Sequence, residues 1–390
     1  MRSVSEHRHA VQAALAPLHA LAPQLVGVGD ALGRVLTADV HAPVDLPVFR
    51  NSAMDGYALA AGSAAPGTPL PVVGTIAAGD GVDAALPPGS AVKIMTGAVL
   101  PDGADAVVPV ERTVAGDGTV TLQASCAPGD FIREPGSDVR SGAVLARAGT
   151  VLAPRHIAAL AAVGLVSVPV RRRPRVAVLT TGSELVPAGT ALGPGQIFDS
   201  NGTALAACAK ADGAEIVSID HSSDDSEIFL RKLAAAADAA DVVCTSGGVS
   251  MGEFEVVRAT LGPRGGDFGH VAMQPGGPQG LTVLGGVPVL SFPGNPVSTV
   301  VSYLVFARPQ LRAAGGLPPI APRTLRLDHP ITSIRGKRQF LRAQRTERGV
   351  TVSPPGSHLV AAMAWADVLV EVPEDCTELP AGADVTVWEL

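Results

Sequence analysis

With 390 residues, the chain is longer than one hydrophobic core normally supports, so several domains are expected. Hydrophobic residues make up 47% and charged residues 17%, which is typical of a globular protein and excludes a disordered chain. The formal net charge of −7 creates no positive field, which argues against nucleic acid as the main partner.

The first predicted element is an amphipathic helix over residues 1–22, in which Val4, Val11 and Leu15 recur near helical spacing and Pro17 introduces a kink. Charged residues interrupt this segment, so it lacks the apolar run of a signal peptide. No other stretch approaches the roughly 18 apolar residues of a transmembrane helix. The cysteines are scattered without metal-binding spacing, which suits a reducing compartment. We expect a soluble, cytoplasmic protein without a membrane partner.

Residues 40–140 are predicted to form a β-rich domain, because short Val-rich runs alternate there with Gly and Pro. Residues 143–170 are typical of a strand, a helix and a second strand, with Pro154 as an early helical residue and Gly164 as the stop. The basic segment RRRPR, residues 171–175, is predicted to be a solvated linker.

Residues 174–314 alternate strands with helices, which predicts a doubly wound α/β domain with a mostly parallel sheet. After a linker, AAGGLPPIAP, residues 323–390 return to the short strands of a small β domain, predicted in TLRLDHPI, VTVSP, VLVEV and DVTVWEL. The sequence therefore predicts an α/β multidomain protein that combines a doubly wound domain with β-rich segments on either side.

Three glycine-containing turns follow strands of the predicted α/β domain: LTTGSEL (179–185), CTSGGVSMGE (244–253) and SFPGNPVST (291–299). In an open parallel sheet the strand C-termini share one edge, and free N–H groups there favour a phosphate-bearing ligand. No GxxxxGK[ST] and no GxGxxG occurs, which argues against ordinary ATPase and hydride-transfer chemistry. The candidate binding residues of these turns are Gly182, Ser183, Ser246, Gly247, Gly248, Pro293, Gly294 and Asn295.

Carboxylates gather at the same predicted edge. Glu184 follows the first turn, Asp224 and Asp225 end the segment IDHSSDD, and Glu255 follows the second turn. Taken singly, one aspartate fits a helix N-cap and the glutamates fit solvated helix positions. Taken together, they would repel an anion unless a hard cation lay between them. Mg²⁺ held by one or two carboxylates and by phosphate oxygens is the usual arrangement, so the sequence predicts a magnesium site.

Other polar residues are less informative. Asp55 lies in FRNSAMDGYAL, where Asn51, Ser52 and Gly56 are typical of a turn, and by itself it reads as a solvated surface aspartate. No Ser/His/Asp pattern indicates a nucleophile. Isolated histidines, read as surface or packing residues, stand at His156, His221, His329 and His358.

Seven motifs occur in the order found in one known family: NSAMDGYA, KIMTGA, GSDV, TTGSEL, TSGGVSMGE, FPGNP and GSH. The chain resembles the molybdopterin molybdenumtransferases, which include the bacterial MoeA proteins and the E region of gephyrin. The resemblance extends from about residue 10 to the C-terminal residue. Such an ordered set is specific, because neither chance nor a merely shared fold reproduces it.

The resemblance implies four domains. They are an elongated domain I (1–42 and 141–172), an inserted β-rich domain II (43–140), a molybdopterin-binding α/β domain III (173–316) and a β-barrel-like domain IV (317–390). It also implies a homodimer whose active cleft is shared between domain III of one subunit and domain II of its partner. The implied reaction converts adenylylated molybdopterin and molybdate, in a Mg²⁺-dependent step, into AMP and the molybdenum cofactor. A transient contact with a molybdopterin adenylyltransferase is implied as well.

The resemblance also assigns roles to residues of this chain, motif by motif. The catalytic residues would be Asp55, Thr96, Asp138, Glu184 and Asp224. Substrate would be bound by the residues of the three turns together with Arg133, Gln274, Arg342 and Ser357. The metal ligands would be Glu184, Asp224 and Asp55.

The chain departs from the family pattern most clearly in HVAMQPGGP, where His270, Gln274 and Gly277 stand at positions at which relatives often carry lysine. Each lost charge-assisted contact, worth roughly 1.5–3 kcal/mol, would weaken anion binding unless another group replaces it. The candidate replacements are Arg335, Lys337 and Arg338. Smaller departures are Glu255 in place of an aspartate, and Glu134 and Pro135 where arginine is frequent.

Two functions therefore remain open. The first is an active molybdenum insertase, which the ordered motifs and the complete acidic set support. The second is a catalytically weak paralogue that binds or carries molybdopterin or its adenylate, which the absent lysines suggest. A third, purely structural role of the kind known for gephyrin has no support in a long linker or a fused partner domain.

Overall fold

The structure is a computed structural model that describes residues 1–81, 84–250, 252 and 255–390. The chain forms two compact units. The first comprises Met1–Gln24, Gly33–Val35 and Val170–Leu390, and the second comprises Leu25–Leu32 and Leu36–Pro169. The four-domain division given above stays a prediction. Met251 and Glu253 of the second glycine turn lie outside the described residues.

The α-helices are α1 (Val4–Leu15), α2 (Pro154–Ala162), α3 (Asn201–Ala211), α4 (Ser226–Ala239), α5 (Val256–Leu261), α6 (Pro296–Ser302), α7 (Arg308–Ala314) and α8 (Val360–Met363). Short 3₁₀ turns and a π-helical turn, Tyr303–Ala307, complete the helical part. No helix in the described ranges is long and apolar enough to cross a membrane. All four cysteines are free thiols.

Helix α1 is shorter than predicted. A capping box starts it, since the Ser3 hydroxyl accepts from the Glu6 N–H (3.1 Å) and the Glu6 carboxylate accepts from the Ser3 N–H (2.7 Å). The helix ends at Leu15 and a 3₁₀ helix, Ala16–Ala20, follows. The single kinked helix predicted over residues 1–22 is therefore wrong in its second half. Pro17 is the physical reason, because it has no N–H to continue the α-helical ladder.

The second unit is rich in short strands, as predicted. The strands between residues 24 and 170 are β1 (Gln24–Gly27), β2 (Val40–His41), β3 (Asn51–Ser52), β4 (Gly56–Leu59), β5 (Pro69–Ile76), β6 (Ala91–Ile94), β7 (Ala106–Pro109), β8 (Thr113–Ala115), β9 (Thr119–Leu122), β10 (Ile132–Arg133), β11 (Val144–Ala146) and β12 (Ser167–Val170). Its largest sheet has the order β7-β4-β6-β5-β9-β8. Apolar side chains cover both faces of β4, because Leu59 packs in one cluster and Ala58 in another.

The first unit contains a doubly wound sheet. The strands of this part of the chain are β13 (Arg175–Thr181), β14 (Leu185–Val186), β15 (Ile197–Phe198), β16 (Glu215–Ser222), β17 (Val242–Ser246), β18 (Asp267–His270), β19 (Met273–Gln274), β20 (Pro278–Leu284) and β21 (Val287–Phe292). Strands β14 and β15 pair with each other, and β19 joins a different sheet. The sheet order is β16-β13-β17-β21-β20-β18; the first four strands are parallel, and β20 pairs antiparallel with both β21 and β18. Helices α3 and α6 pack on one face, and α4 and α5 on the other. Burial on both faces explains why β13 reads as a continuous apolar run.

The basic segment before β13 is not the solvated linker that the sequence predicted. Arg172 and Arg175 donate to the Asp241 carboxylate at 2.8 Å and 3.3 Å. Burial raises the pKa of Asp241, but hydrogen bonds from the Arg175 N–H and the two guanidinium groups outweigh it and hold the pKa below its usual value. The segment therefore fastens the start of β13 to the connection between α4 and β17.

The C-terminal part of the first unit is a second β structure. Its strands are β22 (Arg323–Arg326), β23 (Ile331–Thr332), β24 (Arg338–Arg345), β25 (Val350–Val352), β26 (Val368–Val372), β27 (Glu378–Leu379) and β28 (Asp384–Glu389). The main sheet has the order β19-β24-β26-β28-β22. The sequence did not predict β24, because its segment RQFLRAQR is rich in charge. Two of those arginines, Arg338 and Arg342, nevertheless reach internal partners.

Candidate functional site

The three glycine turns meet at one edge of the doubly wound sheet, as the strand pattern predicted. Gly182, Gly247 and Gly294 all line a cleft of about 700 Å³ at the carboxyl ends of β13, β17 and β21. The size is within the range of small-molecule sites. Whether these residues bind substrate stays a prediction, but the structure brings them together.

Close packing explains why glycine occupies these turns. Gly247 has φ +97°, and a Cβ there would lie 2.6 Å from the carbonyl oxygen of Thr181. A Cβ on Gly294 would lie 3.5 Å from the Gly247 Cα. The first turn touches the second, and the second touches the third, so a side chain at residue 247 would separate them.

A buried hydrogen-bond network lies beneath the turns. The Asn201 amide donates to the Ser246 hydroxyl (3.0 Å) and to the Gly294 carbonyl (2.7 Å), and the Ser246 hydroxyl donates to the Pro293 carbonyl (3.1 Å). Ser246 is 1% exposed. Its side chain therefore ties the second turn to the third, which is a structural contact rather than one with a ligand. Asn201 was missed by sequence reasoning, although its position at the start of a helix after FDS gave a signal.

The structure separates the roles of the two adjacent aspartates. Asp225 caps α4, since its carboxylate accepts from the N–H groups of Glu227 and Ile228, both at 2.9 Å. Asp224 instead faces the first glycine turn and accepts from the Ser183 N–H (3.0 Å) and hydroxyl (2.7 Å). Asp225 therefore has the ordinary N-cap role, and Asp224 lines the cleft.

The remaining carboxylates of the cleft are Glu184, Asp199 and Glu255. The Glu184 carboxylate lies against Gly182, because a Cβ on that glycine would be 2.5 Å from Glu184 Oε2. Asp199 accepts from the Thr180 hydroxyl (2.6 Å), and Glu255 accepts from the Ser250 N–H (2.9 Å). Sequence reasoning missed Asp199, which follows the two-residue strand β15.

Among the described lining residues, His358 is the one basic side chain. The sequence read it as an isolated surface or packing residue, whereas the structure places it at the cleft. With Glu184, Asp199, Asp224 and Glu255 as its neighbours in the lining, the cleft is strongly acidic. An anionic ligand would therefore need an accompanying cation there.

The carboxylates of the cleft suit a cation that takes only some of its ligands from the protein and the others from substrate and water. No group of three or more His, Cys, Asp or Glu side chains in the described residues could hold a metal ion by itself. Glu184 and Asp224 both line the cleft, both are exposed, and both offer carboxylate oxygens. Mg²⁺ is usually held by one or two carboxylates together with substrate phosphates and water. The residues fit that arrangement and do not fit a closed all-protein cage.

A second cavity, of about 300 Å³, adjoins the cleft through shared lining residues Pro278, Asn295 and Ser298. Two predicted binding residues, Gln274 and Ser357, line it. The loop of Ser357 is docked on the third glycine turn. The Asn295 amide donates to the Ser357 hydroxyl (3.0 Å), and the Val297 N–H donates to the Ser357 carbonyl (3.1 Å).

Arg342 also lines the second cavity, but its donors face the protein. Its Nη2 donates to the carbonyls of Pro354 (2.9 Å) and Gly356 (3.1 Å), and its Nη1 donates to the carbonyl of Leu359. Burial lowers the pKa of this guanidinium, and the residue is 4% exposed. The structure thus shows Arg342 holding the loop that carries Ser357. Its predicted phosphate contact stays a prediction.

The other predicted residues belong to the second unit. The Thr96 N–H (2.7 Å) and hydroxyl (2.8 Å) both donate to Asp55 Oδ1, and these two bonds lower the pKa of the exposed Asp55 carboxyl. Thr96 therefore fixes Asp55, while its hydroxyl proton is already used. Arg133 and Asp138 are exposed, with Arg133 on β10 opposite Asn51 of β3.

Comparison with known protein families covers nearly the whole chain. Residues 2–164 match the MoeA N-terminal region (domain I and II). Residues 177–313 match a probable molybdopterin binding domain. Residues 324–390 match the MoeA C-terminal region (domain IV). The three matches follow one another in the order of the motifs.

Individual proteins agree with these matches. The chain is 45% identical over 407 residues to molybdopterin molybdenumtransferase 2 of Mycobacterium tuberculosis, with all of both chains covered (100% and 100%). It is 32% identical to the molybdopterin molybdenumtransferase of Haemophilus influenzae, covering 93% of each chain. A crystal structure of a molybdopterin biosynthesis MoeA protein from Pyrococcus horikoshii is similar with a TM-score of 0.79 and 32% identity, over 97% of this chain and 98% of that one.

Proposed function

Because this chain belongs to the molybdopterin molybdenumtransferase family, we propose that it transfers molybdenum from molybdate into adenylylated molybdopterin and releases AMP. Family membership assigns it to molybdenum cofactor biosynthesis and to the transferases. The identity of the substrates and the release of AMP are the parts that we propose.

The observation that supports this reaction best is the glycine-turn cleft with its acidic rim. The turns at Gly182, Gly247 and Gly294 allow close approach of a phosphate-bearing ligand to the main chain. Glu184 and Asp224, next to the first turn, would hold Mg²⁺ together with the ligand's oxygens. The bound ion would polarise the adenylyl pyrophosphate bond. The protein itself would orient the ligand, because the turns are fixed by the buried network of Asn201 and Ser246.

Asp55 would complete this site from the partner subunit of a homodimer. Its carboxylate is exposed and held ionised by Thr96, so it is available to a ligand or metal outside its own unit. Thr96 acts in this proposal by positioning Asp55. We place the reaction in the cytoplasm, where a transient contact with the adenylyltransferase would supply the adenylate.

The test is an insertion assay with purified protein, adenylylated molybdopterin, molybdate and Mg²⁺. We expect AMP to be released over many turnovers per site, and we expect chelation of divalent ions to abolish the release. AMP release that is indifferent to a chelator would contradict the acidic-rim assignment. AMP release without molybdate-dependent formation of the cofactor would contradict the proposed reaction.

A second function is favoured by one observation. His270, Gln274 and Gly277, which replace frequent lysines, all line the second cavity, so the substitution changes a wall of the site. A chain that captures molybdopterin or its adenylate but turns it over poorly would fit this change. In the same assay, such a carrier would bind the adenylate tightly and release no more than about one AMP per site.

A further inference from the structure

A third cavity, of about 420 Å³, lies within the first compact unit. Among the described residues, it shares no lining residue with the acidic cleft and only Phe340 with the second cavity. Its walls come from α1, from the helical run that ends in α7, from the linker before β22 and from the C-terminal sheet. The size is within the range of small-molecule sites, and the lining separates the cavity from the proposed reaction site.

The walls of the third cavity are mostly apolar. The large apolar side chains that line it are Leu304, Val305, Phe340, Leu369 and Trp388. All except the half-buried Trp388 are buried. The Trp388 ring is held in place, because its indole N–H donates to the Glu371 carboxylate (2.7 Å). Fixed apolar and aromatic walls of this kind suit a ligand with an apolar body.

Part of the wall is an unusual backbone segment. Leu304 and Val305 belong to the π-helical turn Tyr303–Ala307, which stands between α6 and α7. Single π-helical turns are rare and are found frequently at functional sites. None of the residues of this turn lines the acidic cleft, whereas two of its five residues line the third cavity. The turn therefore points to the third cavity as a functional site.

Arg8 places a positive charge at the cavity. It lies on α1, is half-buried, and has a buried Nε without a hydrogen-bond partner in the described part of the chain. Burial lowers the pKa of this guanidinium, and the charge of Glu371 opposes that effect only in part. Glu371 already accepts from Arg338 (3.0 Å) and from Trp388. Arg8 is therefore left with a donor that a bound carboxylate would satisfy.

The other charged groups of the lining already have partners. Arg308 and Arg312 share the Asp212 carboxylate, at 3.5 Å and 3.2 Å. Glu389 forms an ion pair with Arg345, which lies outside the lining. In the described lining, three guanidinium groups thus stand against one carboxylate that is itself paired. The excess of positive charge favours an anionic ligand.

We propose that the third cavity binds a small monocarboxylate with an aromatic body, whose carboxylate accepts from the Arg8 guanidinium. The body lies against Leu304, Phe340 and Trp388, and the planar fork of Arg8 donates two parallel hydrogen bonds to the carboxylate. Such a ligand satisfies the buried Nε and removes apolar surface from water. The ligand is neither substrate nor product of the proposed reaction, so this site adds a second binding function to the chain.

The direct test is binding of 3-phenylpropionate to the full chain, measured by isothermal titration calorimetry without the substrates of the reaction. We expect saturable binding of one molecule per subunit. The neutral analogue 3-phenylpropionamide should bind about tenfold more weakly or worse, because it offers no charge to Arg8. This comparison needs no variant. Equal affinity for the carboxylate and the amide would overturn the inference, as would absence of binding at millimolar concentrations.

Variants of Arg8 identify the cation. Arg8→Gln should weaken 3-phenylpropionate binding by about tenfold or more and abolish the preference over the amide. Arg8→Lys keeps the charge but loses the fork, so it should bind with intermediate affinity. The matched control is Arg231→Gln, which removes an exposed arginine of α4 outside the lining and should leave the affinity unchanged. Wild-type affinity in a folded Arg8→Gln variant would overturn the role of Arg8.

Two further measurements locate the aromatic body. Ala321→Phe adds a ring to the cavity lining and keeps Arg8, so it should abolish binding. The chain has two tryptophans, and Trp365 lies outside the lining. In a Trp365→Phe background, the fluorescence of Trp388 should therefore change as 3-phenylpropionate binds. Unchanged affinity in Ala321→Phe, or unchanged Trp388 fluorescence with ligand bound, would place the ligand elsewhere and overturn the inference.

Competition separates this site from the reaction site. AMP and molybdate should leave the affinity for 3-phenylpropionate unchanged, and displacement by either would assign the cavity to the reaction and overturn the inference. The inference and the proposed function also fail differently. A wild type that releases no AMP in the insertion assay contradicts the function, whereas an active enzyme that binds no 3-phenylpropionate contradicts only the third cavity.

Discussion

At the scale of single residues, the cleft depends on positions where only a hydrogen fits. Gly247 combines a left-handed φ of +97° with a close approach to the Thr181 carbonyl. Gly189 has a similar φ of +86°, but a Cβ at that position would meet nothing within 4 Å. Comparing substitutions at Gly247 and Gly189 therefore separates the cost of backbone strain from the cost of a steric clash.

We predict that Gly247→Ala destabilises the protein more than Gly189→Ala does. Both substitutions force alanine into a disfavoured φ, but only the first pushes a Cβ into main-chain atoms, which should add about 1–3 kcal/mol. Urea unfolding of both variants, compared with the wild type, measures the difference. Equal destabilisation would show that the turns are not packed as tightly as described.

Glu184 would supply one of the two carboxylates that hold Mg²⁺ in the proposed reaction. Glu184→Gln keeps the size of the side chain but removes a carboxylate ligand, so AMP release should fall by at least about tenfold while adenylate binding stays within a few-fold. Glu227→Gln is the control, because Glu227 is an exposed glutamate outside the cleft lining. Lost adenylate binding with normal turnover at saturation would contradict a metal-holding role.

At the scale of secondary-structure elements, two adjacent aspartates serve different elements. Asp225 caps α4, so Asp225→Ala should lower the free energy of unfolding by about 1 kcal/mol and leave adenylate binding unchanged. Asp224 faces Ser183 in the cleft, so Asp224→Asn should reduce AMP release with little effect on stability. Denaturant unfolding and the AMP assay on both variants check the assignment. A stability loss in Asp224→Asn together with an activity loss in Asp225→Ala would show that the two roles are assigned to the wrong residues.

Helix α1 is docked through a buried histidine. The His7 ring lies 4.6 Å from the Phe306 ring in an edge-on arrangement, and its pKa is lowered to about 4 by burial, with a smaller effect from Arg2. The folded pKa is below the unfolded value of about 6.5, so the unfolded chain binds more protons between these two values. The stability that neutral His7 contributes is therefore fully present above pH 6.5 and is lost as pH falls from 6.5 to about 4.

We predict that acid weakens the protein partly through His7. Its contribution to the loss between pH 6.5 and pH 4 should reach up to about 3 kcal/mol. His7→Phe keeps an aromatic ring against Phe306 and removes the proton, so it should flatten that decline. His9→Phe, at an exposed position on the same helix, should not. Unfolding free energies of the wild type and both variants, measured across this pH range, test the prediction; an unchanged decline in His7→Phe would contradict it.

At the scale of the whole molecule, the periodicity of the sequence predicted the doubly wound sheet and the shared edge of its glycine turns, because strands buried on both faces are apolar throughout. It did not predict β24, since Arg338 and Arg342 look solvated until their partners are known. Asp199 and His358 were also missed. Their positions in the cleft depend on contacts between segments far apart in the chain, which local patterns do not encode.

The predicted site residues belong to two different compact units. Asp55 and Thr96 belong to the second unit, whereas Glu184 and Asp224 belong to the first. The proposed function joins these sets across a homodimer. A subunit with a substitution in one set should therefore regain activity when it pairs with a subunit in which that set is intact.

Subunit mixing tests this central claim most directly. Homodimers of Asp55→Ala and of Glu184→Ala should each release little AMP, because each site lacks one carboxylate. After subunit exchange, hybrid dimers contain one site with both carboxylates intact, and AMP release should recover to about a quarter of the wild-type rate, since about half of the dimers are hybrids with one working site each. No recovery, despite exchange verified with differently tagged subunits, would contradict an active site shared between two chains.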